Sequence, residues 1–266
     1  MLWRCSEIDG YEIAARDGAI GSVDDMLFDE ARWTVRWLVV DTGHWLSGRR
    51  VLLPPAALGH PDIEARQFPV GLTRQQVEAS PPFDSDRPVS RQIEAGLYDF
   101  YGWSPYWAAD LMPPLSYLSG GSGSGFLYMP QPGEPAAAES AGDKPGAAPP
   151  EEHGDPTLFS IGDTTGHAIR ASDGDIGHVE DFLVEEEGWR VRYMIVDTRN
   201  WLAGRKVLIA PQWIGAVDWP ERRVHVNLTR DAIETSPEFD STRPLARDYE
   251  DVLHGHYGKP GYWPPH

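Results

Sequence analysis

Three residues in one short stretch of the chain have side chains that could bind a charged or an apolar partner. Asp41, Trp45 and Arg49 lie in the segment 39–53, which reads VVDTGHWLSGRRVLL. A carboxylate and a guanidinium at the two ends of a loop can pair across a hairpin. The alternative is that the guanidinium binds an anion beside the indole. An indole in a turn either covers the core or faces a partner, and protein interfaces favour Trp.

The chain contains this segment twice, and the second copy lies 156 residues after the first. The second copy supplies Asp197, Trp201 and Arg205. Without a gap, residues 10–107 match residues 166–263 at 46 of 98 positions, which indicates a duplicated domain. We therefore predict an interaction surface formed by Trp45, Trp201, Arg49, Arg205, Asp41 and Asp197.

Acidic residues form a second cluster in each copy, and carboxylates are ligands that Ca²⁺ prefers. The cluster consists of Asp24, Asp25, Asp29 and Glu30, with Glu180, Asp181 and Glu185–Glu187 in the second copy. Its spacing differs from that of the calcium-binding loop, which needs Asp-x-Asp-x-Asp-Gly and a distal Glu. We interpret the cluster as a solvated face, and we predict no metal and no other cofactor.

Residue types that could catalyse a reaction do not recur together in both copies. His254 and His256 could bind a transition metal, but the first copy has Tyr98 and Phe100 at those positions. No Ser/His/Asp or Cys/His set is repeated, and the Gly-rich segment 120–125 lacks the Lys of a phosphate loop. We therefore expect a protein without enzymatic activity.

Short β-strands are the elements that would position the segment 39–53. Alternating apolar residues predict strands over 10–15, 20–29, 33–41 and 49–53, with a further hairpin over 213–228 in the second copy. Asp17-Gly18 predicts a tight hairpin turn, and Gly21 predicts a bulge or a bend. Five or six short strands in this length indicate a small closed or nearly closed barrel.

Two short helices are predicted after the strands of each copy. Thr73, with Gln76 three residues later, has the pattern of a capping box at the start of the first helix. The second helix has an apolar stripe at Ile93, Leu97 and Tyr101. That stripe must be buried, and we expect it to lie across the barrel of the other copy.

Composition divides the chain into three parts. We predict a first repeat over 1–107, a linker over 108–157 and a second repeat over 158–266. The linker is rich in Pro, Gly, Ser and Ala, so we expect most of it to be disordered. Its apolar segments 111–118 and 126–129 either dock on a barrel or bind a partner. The two repeats are expected to pack on each other, and a homo-oligomer is compatible with the sequence.

The charge of the chain argues against a nucleic-acid partner, and its hydropathy argues against a membrane span. The formal net charge is -18, so the basic face that nucleic-acid binding needs is not expected. The sequence has no apolar run long enough to span a bilayer, and the first residues do not resemble a secretory signal. Cys5 is the single cysteine, which fits a reducing compartment, so we expect a cytoplasmic protein.

Each repeat resembles the PRC-barrel family, which is named after the cytoplasmic part of the photosynthetic reaction-centre H subunit. The family also includes the C-terminal domain of a ribosome-maturation factor. The resemblance depends on Asp-Gly-x-Ile-Gly-x-Val-x-Asp (Asp17–Asp25, Asp173–Asp181), on Val/Ile-Val-Asp-Thr, and on Trp-Leu-x-Gly-Arg before Val-Leu. It implies a six-stranded barrel that serves as an interaction module, with no catalytic residues to transfer.

The fold predicted for the whole chain is therefore mainly β, with two small PRC-type barrels in tandem, each followed by short α-helices. The function that we predict is a non-catalytic adaptor that binds a protein partner through these modules. The alternative is a sensor that binds a small ligand or a metal at the barrel mouths.

Overall fold

The computed structural model describes residues 1–81, 83, 89–107, 158–198 and 205–263. The first repeat contains β1 (Leu2–Arg4), α1 (Cys5–Ile8), β2 (Glu12–Ala15), β3 (Gly18–Asp29), β4 (Thr34–Asp41), β5 (Arg50–Leu53), β6 (Gln67–Pro69), α2 (Arg74–Glu78) and α3 (Arg91–Tyr101). The second repeat contains β7 (Leu158–Ser160), α4 (Ile161–Thr164), β8 (Ala168–Ala171), β9 (Gly174–Glu185), β10 (Val191–Asp197), β11 (Lys206–Ile209), β12 (Ile214–Asp218), β13 (Arg223–Val226), α5 (Arg230–Glu234) and α6 (Arg247–His256). The predicted linker lies outside the described residues.

The strands form two sheets, which confirms the predicted mainly β fold. In the second repeat the strand order is β11-β10-β9-β8-β13-β12, and in the first repeat it is β5-β4-β3-β2-β6. The register of β2 against β3 shifts between Ile13 and Ala14, next to the pair Ile13–Gly21. The irregularity predicted from Gly21 is therefore present. The Thr73 side chain accepts a hydrogen bond from the backbone N–H of Gln76, so the predicted capping box of α2 is also confirmed.

The chain divides into two compact units whose boundaries cross both repeats. Unit 1 comprises Met1–Tyr11, Val23–Val39 and Leu158–His266. Unit 2 comprises Glu12–Ser22 and Val40–Thr157. Segments of the first repeat therefore pack with the second repeat inside unit 1, as expected for repeats that pack on each other. The domain boundaries at 107 and 158 stay a prediction.

Within unit 1 the two repeats exchange their first strands reciprocally. Strand β1 pairs with β9, so that Trp3 lies opposite Val184. Strand β7 pairs with the end of β3, so that Phe159 lies opposite Phe28. The two pairings are related by the 156-residue offset, so each repeat donates to the other the same short antiparallel strand.

A local pseudo-twofold relation in unit 1 accompanies the exchange. Thr34 forms a β-bridge with Arg190, the residue at its own equivalent position. On either side, the N–H of Val35 donates to the carbonyl of Trp189 at 2.8 Å, and the N–H of Val191 donates to that of Trp33 at 2.8 Å. An antiparallel pair related in this way has the self-complementary geometry of an isologous dimer interface, here inside a single chain.

Helix α6 packs against its own repeat, so the expectation that this helix lies across the other barrel was wrong. Its His254 ring contacts Trp213, with ring centroids 5.1 Å apart, and lies beside Tyr193 of β10. Tyr193 and Trp213 are almost fully buried. Tyr257, the stripe residue at the end of the helix, also contacts Trp213, with ring centroids 4.7 Å apart, so the stripe packs on its own repeat. The exchanged segment is the N-terminal strand instead.

Candidate functional site

The β4–β5 connection of unit 2 contains the candidate residues of the first repeat. Residues Gly43–Leu46 form a 3-10 turn, and none of them is buried. Thr42 fastens the base of the loop, because its N–H and its hydroxyl both donate to the carbonyl of Arg49, at 3.1 and 2.6 Å. The carboxylate of Asp41 accepts the N–H of Gly43 at 2.8 Å. The loop is therefore closed by hydrogen bonds to the backbone.

Arg49 does not form the predicted ion pair across the hairpin. Its guanidinium donates instead to the carbonyl of Glu78 at 3.0 Å and to the carbonyl of Ser80, at the C-terminal end of α2. Carbonyl groups at a helix end lack partners inside the helix, and a cation there also interacts favourably with the helix dipole. Asp41 accepts the backbone N–H of Gly43, so the arginine and the aspartate each have a different partner.

Arg205 has the same role in the second repeat, in unit 1. It donates to the carbonyls of Glu234 and Ser236 at the end of α5. Asp197, the counterpart of Asp41, is 1% exposed. The repetition of this contact in both copies indicates that the two arginines hold a helix against the strands. The alternative of an anion site beside the indoles loses support, because both guanidinium groups already bind carbonyl groups.

Trp45 is half-buried, and two contacts fix its orientation. Its indole N–H donates to the carbonyl of Ile20. The guanidinium of Arg74 lies over its ring, 4.4 Å from the centroid. The indole is therefore held rigidly against the barrel with part of its surface accessible to solvent. Trp201, the corresponding residue of the second repeat, lies outside the described residues.

Asp25 and Asp181 are not on a solvated face, which corrects the interpretation of the acidic cluster. Asp25 accepts the hydroxyl of Ser160 at 2.5 Å and the N–H of Gly162 at 3.0 Å. Asp181 accepts the hydroxyl and the N–H of Ser6, at 2.5 and 3.2 Å. Each carboxylate therefore holds the exchanged N-terminal segment of the other repeat within unit 1. Burial raises the pKa of both carboxyl groups, although these hydrogen bonds act in the opposite direction.

The raised pKa of Asp25 gives a testable dependence of stability on pH. A raised pKa means that protonation favours the folded state, so the contribution to stability is fully present below pH 3.8 and is lost as the pH rises through the raised pKa. Asp25→Asn keeps the acceptor for Gly162, can donate to Ser160, and removes the charge. We expect it to be at least as stable as the wild type at about pH 7, whereas Asp25→Ala should lose about 2–4 kcal/mol.

Urea unfolding of both variants between about pH 4 and pH 7 measures this difference. The free energy of unfolding should fall with increasing pH more steeply in the wild type than in Asp25→Asn. An Asn variant as unstable as the Ala variant would show that the negative charge itself is required. The same comparison at Asp181 and Ser6 serves as a replicate in the other copy.

A buried polar network behind α6 was missed by the sequence analysis. Glu250, which is 3% exposed, accepts the hydroxyl groups of Tyr193 at 2.9 Å and Tyr262 at 2.8 Å. Its second oxygen pairs with Arg247 at 3.0 Å. In the first repeat the equivalent Glu94 is buried and lies near the equivalents of Arg247 and Tyr262. The sequence does contain a signal for this network, because Arg-x-x-Glu followed by Tyr-Trp occurs in both copies.

The histidines of α6 are occupied by structural contacts. His254 is buried between the hydroxyl of Tyr193 and the carbonyl of Pro260, each 2.9 Å from a ring nitrogen. Burial lowers the pKa of His254, whereas its bond to the carbonyl of Pro260 acts in the opposite direction. His256 lies 2.7 Å from the carbonyl of Ala232. In the part of the chain that the structure describes, no group of three or more His, Cys, Asp or Glu residues is arranged to hold a metal ion.

A comparison with protein-family models identifies the two repeats. The model of the PRC-barrel domain matches residues 3–70 and again residues 156–233, which together exceed half of the chain. The chain belongs to the PRC-barrel family. Both matched segments contain the exchanged strand, the β4–β5 or β10–β11 connection and the aspartate that holds the other repeat, so the tandem PRC-barrel arrangement predicted from the sequence is confirmed.

A similar protein occurs in Deinococcus radiodurans, where it is described as uncharacterised. It is 31% identical to this PRC-barrel protein over 115 residues, which are 39% of this chain and 41% of that protein. The chain thus spans about two-fifths of the length of that relative. Among the helices in the described residues, none has both the length and the apolar character needed to cross a bilayer.

Proposed function

We propose that this protein is a non-catalytic adaptor that binds a protein partner through its PRC-barrel repeats, with Trp45 as the central contact. The observation that carries the proposal is the exposure of the 3-10 turn Gly43–Leu46. No residue of this turn is buried, whereas Val51–Leu53 just after it are buried. A Trp and a Leu in such a turn place apolar surface where a partner could cover it.

The fixed orientation of Trp45 supports the same proposal. Its N–H is bonded to Ile20 and its ring is covered on one side by Arg74, so little conformational entropy remains to be lost on binding. A rigid, partly exposed indole is the kind of residue that contributes most to protein interfaces. Arg49, which belongs to the candidate surface, supports the loop through its bonds to the carbonyl groups of Glu78 and Ser80. We assign it a positioning role.

Affinity capture with the full-length chain tests the proposal. We expect Trp45→Ala to weaken capture of the partner from a lysate of the source organism by about tenfold or more. The side chain of His44 is exposed and makes no described hydrogen bond, ion pair or ring contact, so His44→Glu should also weaken capture without affecting folding. The matched control is Ile63→Ser, which removes an apolar side chain of 55% exposure elsewhere in unit 2.

Thermal unfolding of each variant separates binding from folding. Capture that is unchanged in both His44→Glu and a folded Trp45→Ala would contradict the proposal. An equal loss of partner capture in Ile63→Ser and in the turn variants would also contradict the proposal, because capture would then not depend on the turn.

A further inference from the structure

Next to the β4–β5 turn of unit 2 lies a guanidinium group that is fixed in place without an acidic partner. Arg74, the first residue of α2, lies over the ring of Trp45, 4.4 Å from the centroid. Its guanidinium forms no hydrogen bond and no ion pair with any residue that the structure describes. None of its three nitrogen atoms is buried, whereas Nε of the equivalent Arg230 is buried. Stacking on the indole therefore orders this guanidinium while all five of its N–H donors stay available.

Other arginines of this chain show which group completes such a stack. Three further arginines of the described residues lie over an aromatic ring, 4.0–4.3 Å from its centroid. Each of the three also pairs with a carboxylate, at 2.5–3.5 Å. The complete sets are Arg91 with Trp107 and Glu94, Arg192 with Tyr262 and Glu185, and Arg247 with Trp263 and Glu250. Arg74 has the ring without the carboxylate, so a carboxylate is the group that would complete its set.

Two carboxylates of the chain lie close to the site, and both bind backbone groups. Asp17 accepts the backbone N–H of Arg74 at 2.8 Å, at the start of α2. Asp41 accepts the N–H of Gly43 at 2.8 Å, at the base of the turn. The turn itself has no acidic residue, and its Leu46 is half-buried like Trp45. A partner could therefore supply the missing carboxylate and cover apolar surface in the same place.

We propose that the protein partner of this turn presents a Glu or Asp side chain next to an apolar one. The carboxylate binds Arg74, and the apolar side chain packs on Trp45 and Leu46. This inference rests on the proposed adaptor function and specifies the chemistry of its partner. A guanidinium and a carboxylate form two parallel hydrogen bonds, and the ordered guanidinium loses little entropy when they form. The formal net charge of -18 repels a long acidic tract, which favours a segment with a single carboxylate.

Fluorescence anisotropy with labelled peptides and the full-length chain tests the proposal without a lysate. The peptides differ only in the residue after Leu-Phe, which is Glu, Gln or Lys, and their termini carry no charge. We expect the Glu peptide to bind with a Kd below about 1 mM and at least about tenfold more tightly than the Gln peptide. The Lys peptide should bind more weakly still. Added salt should reduce the preference for Glu, because it screens charges that are accessible to solvent.

Substitution of Arg74 identifies the group that recognises the carboxylate. Arg74→Gln should bind the Glu and Gln peptides equally, because the guanidinium that distinguishes them is gone. A looser indole would weaken both peptides alike, so the ratio of their two Kd values reports on the guanidinium and not on the indole. Arg74→Lys keeps the charge without the planar fork and should show an intermediate preference. Trp45→Ala should weaken both peptides.

The matched control is Arg243→Gln, which removes the same charge from a side chain of 83% exposure in unit 1 and should leave the preference for Glu unchanged. Thermal unfolding establishes that each variant is folded. Three results would each overturn the proposal: no binding of the Glu peptide at about 10 mM, equal affinity of the wild type for the Glu and Gln peptides, or a preference for Glu that persists in Arg74→Gln.

The peptide experiment and the capture experiment fail independently. If a partner is captured through Trp45 but the peptides show no preference for Glu, the adaptor function stands and only the acidic character of its partner is refuted. If the preference for Glu is found but capture does not depend on Trp45, the carboxylate site stands and the adaptor function is refuted.

Discussion

Gly177→Ala is expected to destabilise unit 1 by about 3–5 kcal/mol. A Cβ atom at this position would lie 2.0 Å from the carbonyl oxygen of Asp197, far inside van der Waals contact. That oxygen belongs to the backbone at the end of β10, so a side-chain rotation cannot relieve the clash. The φ angle of 151° adds strain, since residues with a side chain rarely adopt it. The free energy of unfolding in urea measures the loss.

The first repeat offers a replicate and helix α6 offers a control. A Cβ on Gly21 would lie 1.9 Å from the carbonyl oxygen of Asp41, so Gly21→Ala should destabilise unit 2 by a similar amount. Gly255 has no atom within 4 Å of an added Cβ and lies in a helix. Gly255→Ala should therefore stabilise the chain by about 0.5–1 kcal/mol. Similar free energies of unfolding for Gly177→Ala and Gly255→Ala would contradict the close approach of β9 and β10.

Glu250→Ala should cost about 3–5 kcal/mol, the range for removing one partner of a buried ion pair. The substitution leaves the hydroxyl of Tyr262 without its acceptor and Arg247 without its carboxylate. Tyr193 loses one of its two hydrogen-bond partners and keeps the ring nitrogen of His254. The substitution also opens space beneath α6. Urea unfolding followed by near-UV circular dichroism is suited to the measurement, because both tyrosines lie in the network.

Two further substitutions in α6 identify the source of the loss. Glu250→Gln keeps an acceptor for the tyrosines and should lose less than Glu250→Ala. Asp251→Ala removes an exposed carboxylate one residue later and should change stability by less than about 0.5 kcal/mol. If Glu250→Ala proved as mild as Asp251→Ala, the network would not contribute to stability.

Features of the fold that depend on neighbouring residues could be predicted from the sequence. Alternation of apolar residues gave strands β2 to β5, and the pair Thr73 and Gln76 gave the start of α2, because hydrogen bonds three residues apart are local. The gapless repeat predicted two equivalent sets of elements, and the elements of the first repeat do recur 156 residues later, whereas β12 has no equivalent strand in the first repeat. Gly21 predicted an irregularity in its strand. Its close approach to the backbone of Asp41 could be seen only in the structure.

Features that depend on distant partners could not be predicted. The strands β1 and β7 have three residues each, too few for a periodic pattern, and nothing local selects β9 or β3 as their partners. The same limit applies to the candidate site. Arg49 binds Ser80, a residue 31 positions away, whereas sequence proximity favoured Asp41. Asp25 resembled a surface carboxylate because its partner Ser160 is 135 positions away.

The reciprocal exchange of β1 and β7 has a consequence for how this gene can change. Each repeat depends on a strand encoded in the other half, and each strand is held by an aspartate of the half that receives it. A substitution of Ser6 therefore removes a hydrogen-bond partner of Asp181, and a substitution of Ser160 removes a hydrogen-bond partner of Asp25. Neither half can be deleted, or replaced by an unrelated barrel, without leaving the other incomplete. Selection acts on the two halves as a matched pair, so compensating changes should arise across the two copies and not within one.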